Sequence, residues 1–420
     1  MISNEKIESL RAYLQEQLPE YLELLRQMVE VNSFTANWEG VNRLGQETAA
    51  MFNPLGFEAE LVTAENFSYG KHLVLTRNGR QTTDNKPLPI IGLASHLDTV
   101  FPPDEEVRND FHWRPEGSRI YGPGTLDIKG GTAVIYMMMD ALKTIMPNMF
   151  EAVTWIILLN SCEEVGEDDF GRLCVQRLGK EALACLVFES GHFRRKTFRL
   201  VTGRKGMATY RIEVEGKASH AGTAHERGAN AIAQIAEFIC QIHNMTDYEQ
   251  DLTFNVGTVG GGTVMNRVPH FAVSTVEMRA YDMAIYEQGI NNILALTDQT
   301  NIKSPNGDYI CRAQVEITRR TQPWPRNEAT ERLLQIWQDA GSDLDYVAVR
   351  EERGGLSDGN HTWAHIPTLD GLGPSGGNAH CSERSDDGTK EQEYLFVPSL
   401  VPKTLLNLVG ILKLVEQAII

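Results

Sequence analysis

Apolar residues recur along the chain with spacings that predict its helices and strands. Between Ile7 and Met28 they fall at three- and four-residue steps, which predicts an amphipathic helix that breaks or restarts at Pro19. A glycine pair, Gly130-Gly131, opens another helical stretch. A short strand is predicted at 71–77, and buried strands are predicted at 88–100, 154–159 and 183–188. Because these later apolar runs are continuous and alternate with helices, they predict an α/β layer fold covered on both faces.

The pattern changes near residue 204, where apolar and polar residues begin to alternate as in half-exposed strands. From there the predicted order is strand, helix, strand, strand, helix, strand, at 210–215, 229–242, 252–259, 271–280, 284–298 and 314–317. This order is typical of a split-βαβ, ferredoxin-like α+β sandwich. We therefore expect a first domain built from 1–203 and 321–420, and a second domain over 204–320 that is inserted into it. Helices predicted over 328–339 and 401–418 complete the first domain.

Composition and charge narrow the class of protein. A chain of 420 residues suffices for two or three domains, and 39 Lys and Arg against 56 Asp and Glu leave a net charge of −17. Such acidity argues against a nucleic-acid or anionic-membrane partner, because like charges repel. The sequence has no apolar run of membrane-spanning length and no secretory signal, and its six scattered cysteines form no CxxC pair. We therefore expect a cytoplasmic protein.

The residues that carry chemistry lie where predicted strands or turns end. They are His96 and Asp98, then Asp127, then Glu163 and Glu164, and then Glu189. His96 and Asp98 are two positions apart, so on a strand they would share one face. In an open α/β sheet, ligand sites lie just beyond the carboxyl ends of the strands, and carboxylates gathered there repel one another unless a cation neutralises them. One histidine with several carboxylates suits Zn²⁺ at a catalytic site.

Five motifs together resemble one known superfamily. They are His96-Leu97-Asp98-Thr99-Val100, Asp127-Ile128-Lys129-Gly130-Gly131, Glu163-Glu164-Val165-Gly166, Gly216-Lys217-Ala218-Ser219-His220-Ala221-Gly222 and Gly354-Gly355-Leu356-Ser357-Asp358-Gly359-Asn360. In this order they resemble the di-zinc aminoacylases, acetylornithine deacetylases and glutamate carboxypeptidases, with the glutamate carboxypeptidase branch nearest. The resemblance implies a zinc-exopeptidase-like catalytic domain, with a mixed, mostly parallel sheet and helices on both faces. It also implies that the inserted domain serves as a lid and dimerisation domain.

The resemblance implies a metal ligand set within the catalytic domain. Asp127 would bridge two Zn²⁺ ions, with Co²⁺ or Mn²⁺ as substitutes. Glu164 and His380 would complete one metal site, and His96 and Glu189 would complete the other. His361 and His365 are alternatives to His380 as the histidine ligand near the end of the chain. Cys162 and Cys381, whose thiols lie beside proposed site residues in the sequence, are further alternative ligands.

The same resemblance implies the roles that accompany the metal. Glu163 would be the general base that takes a proton from a bridging water, and Asp98 would orient the imidazole of His96. His220 would reach the active site of a partner subunit and stabilise the oxyanion, which requires a homodimer formed through the inserted domain. Further substrate-binding candidates are Asn266, Arg279, Gly355 and Ser357, with Arg204 and Lys205 at the domain junction. Either Arg319 or Arg320 is the candidate for pairing with a substrate carboxylate.

These features predict a zinc-dependent hydrolase that cleaves an amide or peptide bond next to a C-terminal amino acid. The first hypothesis is a glutamate-type carboxypeptidase, whose substrate is a small peptide or N-acyl amino acid. An N-acyl-amino-acid deacylase or a dipeptidase on the same scaffold is the alternative. A non-catalytic binding protein would be expected to have lost a ligand or Glu163, whereas every proposed position is filled. One departure from the family pattern is a polar insert of about 384–392 after His380.

Overall fold

The computed structural model describes residues 2–80, 87–166 and 168–419. Its α-helices within these ranges are α1 (Asn4–Glu16), α2 (Leu18–Val29), α3 (Trp38–Phe52), α4 (Pro103–Arg108), α5 (Lys129–Ile145), α6 (Pro147–Glu151), α7 (Asp169–Leu178), α8 (Ala231–Asn244), α9 (Met283–Leu294), α10 (Glu328–Asp343), α11 (Gly359–Thr362) and α12 (Leu400–Ile419). The break predicted at Pro19 is confirmed, since α1 ends at Glu16 and Pro19 lies in the first turn of α2, where no backbone N–H is needed.

The strands of the same ranges are β1 (Glu58–Thr63), β2 (Lys71–Arg77), β3 (Ile90–His96), β4 (Arg114–Glu116), β5 (Arg119–Tyr121), β6 (Thr154–Asn160), β7 (Ala184–Val187), β8 (Phe193–Arg194), β9 (Thr197–Arg204), β10 (Gly206–Glu215), β11 (Thr253–Gly261), β12 (Phe271–Ala280), β13 (Arg312–Thr321), β14 (Val347–Arg353), β15 (Thr368–Leu369), β16 (Gly376–Gly377) and β17 (Tyr394–Phe396). The sequence analysis missed β1, because most of its side chains are exposed and its apolar pattern is weak.

The described chain forms two compact units. The larger unit comprises Met1–Thr202, Arg326–Glu352 and Ser357–Ile420, and the smaller unit comprises Gly203–Pro325 and Arg353–Leu356. The smaller unit is therefore contained within the sequence of the larger one.

The larger unit is built on a six-stranded sheet in the order β1-β2-β6-β3-β7-β15. Strands β6, β3, β7 and β15 run parallel, and β1 and β2 are antiparallel additions at one edge. Along β6, Trp155, Ile157 and Leu159 pack with α1, α2, α5, α10 and α12, whereas Ile156 and Leu158 pack with α7 on the opposite face. This is the mixed, mostly parallel sheet covered on both faces that the continuous apolar runs predict.

The C-terminal helix α12 lies in the core of the larger unit. The stretch Val397–Ala418, which contains most of α12, is long and apolar enough to span a membrane by composition, but 72% of its apolar 18-residue window is buried inside the structure. Trp337 of α10 donates a hydrogen bond from its indole N–H to Asn407 of α12 at 3.0 Å, which satisfies two buried polar groups between these helices. The apolar character of α12 is therefore explained by packing within the protein.

The smaller unit has the predicted order of elements, β10-α8-β11-β12-α9-β13. Its antiparallel sheet has the order β11-β12-β10-β13, which is the arrangement of a ferredoxin-like fold. Phe238 of α8 and Tyr286 of α9 pack on the apolar side of the sheet against Ile212 and Met278. β10 and β13 are longer than the sequence indicates, because their ladder of backbone hydrogen bonds continues through positions with polar side chains. The predicted fold class is confirmed.

Candidate metal centre

Three neighbouring parallel strands bring the first candidate residues to one edge of the sheet. His96 is the last residue of β3, Glu163 and Glu164 form a 3₁₀ turn after β6, and Glu189 follows β7. Since β6, β3 and β7 are adjacent and parallel, their carboxyl ends meet at the same edge. Asp127 reaches this edge from the turn before α5.

The glycine pair before α5 explains how the Asp127 turn approaches the sheet so closely. A Cβ atom on Gly131 would lie 2.2 Å from the main-chain oxygen of Phe188, the residue after β7. Only glycine leaves room for this contact between the helix N-terminus and the strand end. The Gly-Gly sequence that marks the start of the helix therefore also brings Asp127 towards Glu189.

The candidate ligands form two clusters that share Asp127. The Nε2 atom of His96 lies 3.2 Å from Oδ1 of Asp127 and 3.7 Å from an oxygen of Glu189. The Nε2 atom of His380 lies 3.2 Å from the other oxygen of Asp127, Oδ2, and 3.2 Å from Oε2 of Glu164. Each oxygen of Asp127 thus faces a different histidine, which is the arrangement that a carboxylate bridging two cations requires.

The geometry and chemistry of both clusters fit divalent cations. Two ligand atoms at about 2.1 Å from one tetrahedral Zn²⁺ lie about 3.4 Å apart, close to the nitrogen–oxygen distances observed around Asp127. In each cluster the candidate ligand atoms all lie within 4.8 Å of one another. Oε1 of Glu164 is buried and has no hydrogen-bond partner among the described residues, so a cation would satisfy a polar atom that is otherwise unpaired.

Electrostatics also indicates that the clusters need positive charge. Hydrogen bonds to Asp127 and Glu164 raise the pKa of His380 to about 11. Burial would lower the pKa of His96, but Asp127 and the neighbouring carboxylates raise it well above its ordinary value. Burial raises the pKa of both Glu163 and Glu164. The carboxylates therefore hold more negative charge than two imidazoles neutralise, and divalent cations relieve this repulsion.

Asp98 takes a different position from the one that the sequence indicates. It lies beyond the end of β3, so it does not share a strand face with His96. The nearest contact of His96 Nδ1 is the main-chain oxygen of Asp98 at 2.9 Å, with the carboxylate Oδ1 at 3.4 Å. The carboxylate instead accepts the backbone N–H groups of Glu163 and Glu164, at 3.1 and 3.2 Å, and the hydroxyl of Thr35 at 2.7 Å. Asp98 thus holds the turn from which the two glutamates diverge.

Sequence reasoning did not single out Glu393. This residue follows the polar insert and is fully buried, and its carboxylate accepts backbone N–H groups from Leu126, Asp127 and His380. The signal in the sequence is a single acidic residue between the insert and the apolar strand β17. Burial and the charge of Asp127 raise the pKa of Glu393 to about 8, although the three N–H donors oppose this rise.

The competing ligands lie outside both clusters. The ring of His361 is 3.7 Å from Asp168, and Cys381 is exposed. Cys162 belongs to a separate buried group with His72 and Asp169. Both ring nitrogens of His72 are occupied there, since Nδ1 accepts the N–H of Ser161 at 3.1 Å and Nε2 lies 3.1 Å from Asp169. This third group is therefore a satisfied hydrogen-bonded pair.

In the smaller unit, His220 and Asn266 lie on adjacent exposed loops. The main-chain oxygen of Asn266 accepts the N–H of Ala221 at 3.0 Å. The Nδ1 atom of His220 accepts the N–H groups of Gly222 and Thr223, both at 3.1 Å. In the neutral imidazole the proton must then be on Nε2, so His220 presents a hydrogen-bond donor. This is the form that a role in stabilising an oxyanion needs.

The two candidate arginines, Arg319 and Arg320, lie on opposite faces of strand β13. Arg320 is opposite Ala208, whose side chain faces the helices, and it pairs with Glu287 of α9. Arg319 is opposite Thr209 and therefore lies on the face of the sheet without helices. Arg279 shares that face and donates a hydrogen bond to the main-chain oxygen of Gly354 at 2.8 Å. Arg319, rather than Arg320, thus lies on the same side as Arg279.

The motif around Gly355 is divided between the two units. Within the smaller unit, the guanidinium of Arg204 donates hydrogen bonds to the main-chain oxygens of Gly355 and Leu356, both at 2.9 Å. Within the larger unit, the hydroxyl of Ser357 is buried and donates to Asp370 at 2.9 Å. The hydroxyl of Ser357 therefore already has a hydrogen-bond partner, and the Gly355 segment is held by Arg204 through its main-chain oxygens.

Comparisons with known proteins agree with this description. Residues 202–304 match the M20 family model of a peptidase dimerisation domain. The chain is 28% identical over 393 residues to carboxypeptidase G2 from Pseudomonas sp. (strain RS-16), covering 92% of this chain and 87% of that protein. It is 27% identical over 270 residues to acetylornithine deacetylase from Vibrio campbellii, covering 60% of this chain and 66% of that protein. These similarities confirm the resemblance to the metallohydrolase superfamily that the sequence motifs indicate.

Solved structures of peptidases share the fold. A tripeptidase from Staphylococcus aureus superposes with a TM-score of 0.75 at 21% identity, covering 95% of this chain and 99% of that one. A Bacillus subtilis dinuclear metal binding peptidase of the M20 family superposes with a TM-score of 0.65 at 14% identity, again over 95% and 99%. The predictions of the superfamily and of a metallopeptidase enzyme are confirmed at this level.

Proposed function

We propose that this M20 protein is a zinc-dependent hydrolase that releases a C-terminal amino acid, with glutamate-type carboxypeptidase as its first activity. The observation that carries the proposal is the pair of ligand clusters sharing Asp127, in a chain that is similar to carboxypeptidase G2 over most of both lengths. Asp127, Glu164 and His380 would hold one ion, and Asp127, His96 and Glu189 the other. The proposed metal is Zn²⁺, with Co²⁺ or Mn²⁺ as substitutes.

The residues around the ions have separate tasks. Divalent ions bound there would polarise the scissile carbonyl and lower the pKa of water. Glu163 is not a member of either ligand cluster, so it is available to accept a proton and to pass it to the leaving amine. Burial raises the pKa of Glu163 above its ordinary value. Asp98 keeps Glu163 and Glu164 pointing in different directions through their backbone N–H groups.

The smaller unit would supply the substrate contacts. We assign the pairing with the substrate carboxylate to Arg319 or Arg279, which share the face of the sheet without helices. His220, with its proton on Nε2, would stabilise the oxyanion in the partner subunit of a homodimer. The match to a peptidase dimerisation domain supports this assembly, with segment 204–320 as the lid and dimerisation domain. A cytoplasmic location remains part of the proposal.

An N-acyl-amino-acid deacylase or a dipeptidase is the second candidate. The similarity to an acetylornithine deacetylase and the fold shared with a tripeptidase favour it. The two candidates differ in the acyl side of the substrate rather than in the metal ligands.

The experiment that tests the proposal joins metal analysis to a substrate screen. Protein purified without chelator would be analysed by mass spectrometry for metal, and then assayed on N-acyl-glutamates, N-acyl derivatives of other amino acids and dipeptides. We expect about two zinc ions per chain, as in dinuclear sites, and fastest hydrolysis when glutamate is released. Two ions with a preference for simple acyl groups would favour the deacylase. Protein that binds no metal after zinc is supplied would contradict the site assignment.

A further inference from the structure

Glu393 is a buried carboxylate in contact with two ligand-bearing segments of the larger unit. Its side chain has no exposed surface. Oε1 accepts the backbone N–H of Leu126 at 3.0 Å and that of Asp127 at 3.3 Å. Oε2 accepts the backbone N–H of His380 at 3.3 Å. One side chain therefore joins the Asp127 turn to the His380 loop, which lie more than 250 residues apart in the sequence.

The backbone of His380 needs such a contact. Its φ angle is +66°, a left-handed conformation that is strained for a residue other than glycine. Asn378, two residues earlier, is also left-handed with φ +60°. A conformation of this kind persists only where the surroundings hold it, and here the buried Oε2 of Glu393 accepts the N–H of His380. Glu393 thus keeps the His380 imidazole directed towards Asp127 and Glu164.

Glu393 also closes the base of the polar insert. Its own N–H donates to the main-chain oxygen of Cys381 at 2.7 Å, directly after His380. The neighbouring Gln392 is buried and donates to the main-chain oxygens of Ser382 and Asn109, at 2.8 and 2.9 Å. The insert therefore leaves and rejoins the protein at one fixed point. Its length need not affect the position of His380.

We propose that Glu393 is a positioning residue for one of the two metal sites, the one formed by Asp127, Glu164 and His380. It acts through the backbone of two ligands and not on the metal itself. Within the described chain, none of its hydrogen bonds involves the ends of β3 and β7, which carry His96 and Glu189. The inference rests on the proposed metal centre and adds to it a selective effect, in which loss of Glu393 weakens one site more than the other.

The test is Co²⁺ binding to the metal-free full-length protein, followed by titration calorimetry and by the visible absorption of bound Co²⁺. Glu393→Gln keeps the size of the side chain but places an N–H₂ group against one of its backbone N–H partners. We expect one of the two Co²⁺ sites to weaken by about 10- to 100-fold, as is usual when a group that orients ligands is removed. The other site should keep its wild-type affinity, and the absorption of the weakened site should change.

Glu391→Gln is the matched control. Glu391 lies two residues earlier on the same segment and accepts hydrogen bonds from Tyr121 and Asn378. Among the described residues its hydrogen bonds and ion pairs do not include Asp127 or His380. We expect it to bind Co²⁺ at both sites like the wild type. Equal affinities for Glu393→Gln and wild type would overturn the inference while leaving the proposed function intact. A wild-type protein that binds no Co²⁺ would overturn the proposed metal centre itself.

A second variant covers the case in which Glu393→Gln does not fold. Glu393→Asp keeps the carboxyl group but shortens the side chain by one methylene, so we expect it not to reach both segments. Circular dichroism and thermal unfolding would establish that it is folded. A folded Glu393→Asp protein with two wild-type Co²⁺ affinities would overturn the inference. Selective weakening of one site, with the unfolding temperature close to wild type, would support it.

Discussion

The metal centre of the larger unit and the substrate-side residues of the smaller unit differ in how firmly their surroundings hold them. His96, Asp127 and Glu189 lie at strand and helix ends, with their charged atoms within 4.8 Å of one another. His220 and Asn266 lie on exposed loops and are joined mainly by backbone hydrogen bonds. Buried carboxylates must find partners, whereas exposed side chains are solvated and therefore less constrained. The structure accordingly defines the metal centre more sharply than the substrate contacts.

The strongest test of this contrast is the substitution Glu163→Ala in the larger unit. We expect the two metals to remain and kcat to fall by about a thousandfold, because a general base is lost and no ligand is removed. Metal analysis and steady-state kinetics on the same preparation measure both effects. Glu164→Ala serves as the comparison and should lose metal as well as activity. Activity of Glu163→Ala above about a hundredth of wild type would sink the general-base assignment, on the scale of such effects.

His220→Ala tests the smaller unit in the same way. We expect kcat to fall by about a hundredfold with metal content unchanged, since one donor to a developing oxyanion is removed. Mixing this variant with Glu163→Ala then tests whether His220 acts on the active site of the partner subunit. Mixed dimers would combine one intact Glu163 with one intact His220 and regain part of the activity. Full kcat in His220→Ala would exclude the proposed role, and mixtures without recovery would exclude action across subunits.

The two arginines of β13 provide a matched pair with a moderate expected effect. Arg319→Ala should raise KM for substrates that end in glutamate by about tenfold, the scale of one charge-assisted hydrogen bond. Arg320→Ala should leave KM within about twofold of wild type, because an exposed ion pair such as that with Glu287 contributes little. A larger effect from Arg320 than from Arg319 would contradict the proposed pairing of Arg319 with the substrate carboxylate.

Asp169 is a buried carboxylate with a permanent partner and should affect stability but not activity. Burial opposes its ionisation, but hydrogen bonds from His72 and the backbone outweigh this and lower its pKa to about 2. A lowered folded-state pKa stabilises the protein above about pH 4, and this contribution disappears as the pH falls towards 2. Asp169→Asn should lower the free energy of unfolding by about 2 kcal/mol at neutral pH. Unfolding temperatures that differ from wild type equally at pH 7 and pH 3 would contradict this account.

Strand-end reasoning singled out candidate metal ligands, but it did not find the groups that hold them. His96, Glu164 and Glu189 follow continuous apolar runs, so their convergence could be expected from a parallel sheet. The contacts of Asp98 with the Glu163–Glu164 turn and of Glu393 with Asp127 are made to backbone N–H groups. Such contacts depend on where the chain turns in space, and no residue spacing in the sequence reports them.

The amino-acid sequence by itself determined the fold class, the insertion of a ferredoxin-like unit and the set of candidate ligands. Apolar periodicity and the positions of strand ends are local properties of the sequence, so they can be read without knowledge of the tertiary structure. Only the tertiary structure decided that Asp127 faces both His96 and His380, that Arg319 and Arg320 lie on opposite faces, and that Glu393 joins two distant segments. These outcomes depend on strand register, on a bulge in β13 and on long-range burial. Each of these depends on several parts of the chain at once.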